Sequence, residues 1–140
     1  MGDVLRVSIP ASMTKVEEER WVSEMIRRAR RWSATELIDL ENRARSLVDR
    51  FALPAPSFVD WAYNQNSRWG SCTPADRSIR ISSHLAGMPE WVLDYVIVHE
   101  LAHIVEPTHG PNFWELVNRY PRTERARGYL MAKSAEPMEA

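Results

Sequence analysis

The chain has 140 residues, a formal net charge of −1 and 44% hydrophobic residues, the size and balance of one ordinary globular domain. Near-neutral charge gives no global footprint for nucleic acid or an anionic membrane, and no apolar run approaches the roughly 20 residues that span a bilayer. Residues 1–9 are too short and mixed for a signal peptide, and the single cysteine, Cys72, allows no disulfide framework within the chain, so a cytoplasmic protein is expected.

In chain order, residues 5–9 alternate apolar and polar and predict a short strand closed by Pro10. Thr14 and Glu17 form a capping-box pattern, opening a helix with Val16, Val22, Met25, Ile26 and Ala29 as its buried stripe. Its start is acidic (Glu17, Glu18, Glu19) and its end basic (Arg27, Arg28, Arg30, Arg31). These charges complement the helix macrodipole; without interleaved aromatics on that face, a solvated surface is favoured over a nucleic-acid contact. Ser33 and Glu36 form a second capping box, before a helix striped by Leu37, Leu40, Ala44, Leu47, Val48 and Phe51 and ended by Pro54 and Pro56. Residues 58–64, rich in aromatic and β-branched types, read as a strand, and 66–74 as a loop dense in turn formers. Residues 78–82 alternate cleanly and are expected to pair antiparallel with the preceding strand. A last helix is expected over 124–131. Residues 1–133 then form one domain and 134–140 a flexible tail. Helices and a small antiparallel sheet that segregate along the chain give the α+β class.

The most informative stretch is 91–114, WVLDYVIVHELAHIVEPTHGPNFW. It opens as a helix apolar on nearly every side, which belongs in a core. Yet His99, Glu100 and His103 interrupt it, and burying them is costly unless something satisfies them. His99 and His103 stand four apart on one helix face, with Glu100 beside them. This is H-E-x-x-H, two zinc-ligating histidines plus a general base. Pro107 stops the helix, and Pro111 is placed as the first residue of the next, which is striped by Phe113, Leu116, Val117 and Tyr120. His109 in the turn between them is the third ligand expected. Three neutral imidazoles and an open position describe a catalytic zinc site, whereas a structural site is closed by four protein ligands. The competing interpretation, histidines satisfied by core hydrogen bonds, leaves the convergence of three of them with a glutamate unexplained.

Several blocks in order carry a family resemblance: RWGSC at 68–72, SIRIS at 78–82, DYVIVHELAH at 94–103, HGPNFW at 109–114 and RYPRTERARGYL at 119–130. Over nearly its whole length the chain resembles the YgjP-like metallopeptidase domain, a minimal zincin, and the HGPNFW segment is similar to SprT-like and Spartan proteases. The resemblance implies a zincin-like arrangement, zinc on His99, His103 and His109, Glu100 as catalytic base, and residues 78–82 near the cleft. The histidine spacing equals that of metzincins, but Glu106 stands where those enzymes use a glycine. With one cysteine, the chain cannot form the zinc ribbon common among SprT-like proteins.

The expected reaction is hydrolysis of a peptide or protein substrate by a zinc-bound water that Glu100 activates, with an extended substrate paired to a sheet edge. Tyr63, Arg68 and His84 are the polar side chains to examine for oxyanion stabilisation, each with a simpler structural role available. Cys72 is expected to be a small buried hydrophobe rather than an inhibitory thiolate. Two other functions remain open at this stage: a protease acting on nucleic-acid-bound protein, and a zinc-stabilised binding module without turnover.

Overall fold

The computed structural model describes residues 13–63 and 68–134. The strand expected over residues 5–9 and the tail from residue 135 lie outside them. Among the described residues, five α-helices and a three-stranded sheet make the α+β class expected from sequence.

Helix α1, Lys15–Glu36, starts as its capping pattern requires: Thr14 accepts a hydrogen bond from the Glu17 amide at 3.1 Å. Unlike the sequence expectation, it runs on through Ser33 and Glu36, because nothing between Arg31 and Glu36 breaks a helix. The chain turns at Leu37 and Ile38. The cap of α2, Leu40–Phe51, is Asp39, whose carboxylate accepts from the Asn42 amide at 3.0 Å. Three stripe assignments fail: Val16 and Ile26 of α1 are exposed, and Leu37 lies 88% exposed in the joint instead of on α2. Leu40, Ala44 and Leu47 are buried as expected.

The sheet departs further from expectation. β1, Phe58–Ala62, and β3, Ser78–Ser82, pair in parallel, with Phe58 opposite Ser78 and Ala62 opposite Ser82. The antiparallel partner of β3 is β2, Gly70–Thr73, which lies within the stretch read as loop. The strand order is β1-β3-β2. Residues 74–77 make the tight turn of the β2–β3 hairpin, with Arg77 in the left-handed region at φ 60°. β2 runs opposite to both β1 and β3, so the chain enters β3 in the direction of β1 and the two pair in parallel.

After a 3-10 turn, Ser83–Gly87, α3 runs from Glu90 to His103. Pro111 opens α4, Pro111–Val117, as expected, and α5 is Thr123–Lys133. α3 is apolar all round and is enclosed accordingly by β2, β3, α2, α4 and α5. Two polar ties fix it: Arg43 of α2 donates to Asp94 at 2.6 Å, and the Tyr120 hydroxyl donates to the Trp91 carbonyl at 2.9 Å.

The position of the second cap is testable. Asp39→Ala should cost about 1 kcal/mol in urea unfolding, the usual worth of a side-chain N-cap. Ser33→Ala, inside α1, should stay within about 0.5 kcal/mol of the parent. The reverse order would restore a helix break at Ser33.

Candidate metal centre

His99 and Glu100 lie near the C-terminal end of α3, and His103 ends it. The chain then leaves the helix axis through residues 104–110 and brings His109 back against it. The ring centroids lie 5.0 Å apart for His99 and His103, 5.4 Å for His99 and His109, and 4.9 Å for His103 and His109. One ring nitrogen from each falls within 4.8 Å of the other two.

The donor chemistry fits a cation. The Nε2 atoms of His103 and His109 stand 3.1 Å apart, near the roughly 3.3 Å that two nitrogens about 2.0–2.1 Å from a tetrahedral zinc would have. His103 Nδ1 lies 2.9 Å from the Glu106 carbonyl. An N–H donated there commits Nε2 to a free lone pair, the usual way a ligating imidazole is oriented. Two lone pairs this close repel unless a proton or a metal lies between them. Burial pushes the His99 imidazole down to about 3, helped by the charges of His109 and Arg127. Burial also lowers His103, opposed by the Glu106 carbonyl and by Glu100. His99 is therefore neutral at physiological pH, as a ligand must be.

Glu100 is completely buried, and neither carboxylate oxygen has a hydrogen-bond partner. His99 Nδ1 lies 3.4 Å from Glu100 Oε2 and is itself without a hydrogen-bond partner. Desolvation raises the carboxyl to about 7, against the pull of His103, Arg68 and His109. Fully buried polar atoms left in this state are costly, so the arrangement calls for a partner within the site.

Sequence reasoning missed the supports. Phe113, fully buried, sets its ring 4.9, 4.5 and 4.9 Å from those of His99, His103 and His109. The Trp114 indole donates to the His109 carbonyl at 3.1 Å, and the Arg127 guanidinium lies 4.6 Å above the same indole. The signal was there in HGPNFW, where the aromatic pair follows the histidine by four and five residues.

The YgjP-like metallopeptidase domain matches residues 3–133. The chain belongs to that family. The crystal structure of the zymogen of abylysin, a metallopeptidase of Pyrococcus abyssi, superimposes with a TM-score of 0.63 at 21% identity, covering 72% of this chain and all of that one. The zymogen of jannalysin, from Methanocaldococcus jannaschii, gives 0.57 at 17% identity, covering 69% and 97%. At these identities the likeness is one of fold. No curated protein matches.

Among the side chains examined for oxyanion stabilisation, two of this YgjP-like chain lie elsewhere. The Tyr63 hydroxyl is 2.7 Å from that of Thr35, and its ring stacks on Trp32 at 4.9 Å. His84, half-buried in the 3-10 turn, is lowered by burial and by Arg31 of α1. Arg68 alone acts on Glu100, through its charge. No helix among the described residues is long and apolar enough to cross a membrane.

Cys72 stands outside the histidine group. It is half-buried, and desolvation with the nearby charges of Glu100 and Asp76 pushes its thiol up to about 11. A thiol raised in this way stays protonated through the neutral range and ionises only as the pH climbs toward that value. At pH 8 the native, metal-free protein should alkylate with iodoacetamide about 100-fold more slowly than the urea-unfolded chain. Equal rates would mean that the fold does not hold the thiol neutral.

Proposed function

We propose that the chain is a zinc-dependent peptidase in which His99, His103 and His109 hold the metal and Glu100 is the general base. The observation that carries this reading is the convergence of three imidazole nitrogens within 4.8 Å beside a wholly buried, unpartnered carboxylate. Three nitrogen ligands leave a fourth position open, as in catalytic zinc sites. Bound there, zinc supplies Lewis acidity that polarises a carbonyl and acidifies water. Glu100, raised to about 7 by burial, can take a proton from water and give it up again near neutrality. As the C–O bond forms and the scissile C–N bond breaks, that proton goes to the leaving amine.

The sheet edges support an extended peptide or protein as substrate. Ser82 donates to the Trp69 carbonyl at 2.9 Å. By antiparallel alternation, Trp69, Ser71 and Thr73 face β3, while the main-chain groups of Gly70 and Cys72 turn to the free edge. That edge borders Glu100. At the opposite edge, the amides of Val59 and Trp61 are already taken by the carboxylates of Glu41 (3.3 Å) and Asp60 (2.8 Å). Among the described residues, the β2 side thus offers a strand pairing beside the carboxylate. A cytoplasmic setting belongs to the same reading, supported by a free thiol at Cys72.

Glu100→Gln should keep stoichiometric zinc by elemental analysis and lose turnover of a quenched fluorescent peptide library by at least about 100-fold. Hydrolysis at the parent rate would remove Glu100 from the mechanism. Zinc bound without any hydrolysis by the parent protein would instead make the metal a structural clasp.

His109→Ala should weaken zinc in a competition titration by more than the roughly 10- to 100-fold that loss of a supporting partner costs. Unchanged affinity would mean that another residue supplies the third ligand.

A further inference from the structure

Gly70 occupies a position whose backbone does not require glycine. It lies in an extended strand, and no described glycine has a positive φ. What it lacks is room. A Cβ built on Gly70 would sit 3.0 Å from Glu100 Cγ, 3.1 Å from Glu100 Oε2 and 3.2 Å from the Arg80 carbonyl oxygen. By contrast, a Cβ at Gly87 or Gly128 would meet nothing within 4 Å. The missing side chain of β2 is thus the space that the Glu100 stem and carboxylate fill.

We infer that Gly70 is a positioning residue for Glu100: the bare backbone of β2 forms the wall that sets where the carboxylate stands. The inference rests on the general-base reading above. Its physical basis is that the carboxylate has no hydrogen bond to orient it, so steric enclosure is the restraint that remains. Of the three atoms that would meet a Cβ, the Arg80 oxygen belongs to the central strand, held on both sides by β1 and β2. The Glu100 side chain has no comparable anchor, so it is the group displaced. The Cβ would point toward α3 and leave the outward main-chain groups of Gly70 free, so the edge that pairs with substrate is unaltered.

The test is Gly70→Ala in the parent and in a Glu100→Ala background, read first by thermal unfolding of the metal-free proteins. In the parent the substitution should lower the midpoint by about 4 °C or more, as overpacking of a tight contact does. In the Glu100→Ala background, with Cγ and Oε2 gone, the drop should be at most half as large. The second reading is steady-state hydrolysis of the quenched peptide library by the zinc-loaded protein. There kcat should fall about tenfold or more, with zinc content unchanged and KM within about twofold. Equal thermal losses in both backgrounds, or an unchanged kcat, would overturn the assignment. Should Gly70→Ala fail to fold in the parent, recovery of folding in the double variant supports the contact, and failure there too refutes it. A Glu100→Gln protein with full turnover would sink the general-base reading alone, because the thermal cycle reports the contact between the two residues independently.

Discussion

The withdrawal of Glu100 from water governs the organisation of this molecule. A carboxylate at zero exposure, with neither oxygen hydrogen-bonded, is among the least favourable placements a side chain can have. Its surroundings do not offer the usual remedies. The neighbouring imidazole of His99 is held neutral by the same burial, and His103, Arg68 and His109 act on the carboxyl through their charges without a hydrogen bond to it. The outcome of this burial is a carboxyl group pushed up to about 7. On the proposed reading, a divalent ion on the three imidazoles is the charge that this site otherwise lacks. The cost of the burial and the readiness for metal then have one cause.

The rest of the fold can be understood as the enclosure of that point. α3 has no solvated face, so it must be wrapped, and the two walls nearest the site come from opposite ends of the wrapping. α4 brings Phe113 under all three imidazoles and Trp114 against the His109 carbonyl. β2 brings a strand without a side chain against Glu100. The sheet is small, but its edges are unequal: carboxylates block the outward amides of β1, a common protection against unwanted pairing. On the proposed reading, the outward main-chain groups of Gly70 and Cys72, beside the buried carboxylate, are where a substrate strand pairs.

What could be read from sequence was what local chemistry determines. The all-apolar helix, the i, i+4 histidines and the restart at Pro111 each depend on neighbours within a few residues, and each stands where expected, whereas the helix stops at His103, ahead of Pro107. The misreadings depended on distant partners. Ser33 with Glu36 is as good a capping pattern as Thr14 with Glu17, and only the turn at Leu37 and Ile38 decides that Asp39 caps α2. Gly-Ser-Cys-Thr has little strand propensity. It becomes a strand because β3 offers Ser78, Ile79, Arg80 and Ile81 as partners. Gly70 looks like a turn residue in the sequence, and its reason for being glycine lies thirty positions further on, at Glu100.

The location of the triad at the end of α3 follows from electrostatics and chain geometry together. Peptide dipoles leave partial negative charge at a helix C-terminus, a favourable place for a cation, and His103 is the last residue of the helix. Ending there also solves the problem of the third imidazole. A ligand further along the same helix would move away at about 1.5 Å per residue and rotate off the face, so the chain must leave the axis to return. It does so within six residues, and the Glu106 carbonyl in that same turn accepts from the ring of His103. The residue that stands in place of a turn glycine thus contributes through its backbone, orienting one imidazole while the turn delivers another. The break in the helix is therefore part of the site, and its shortness is what lets His99, His103 and His109 share a single point.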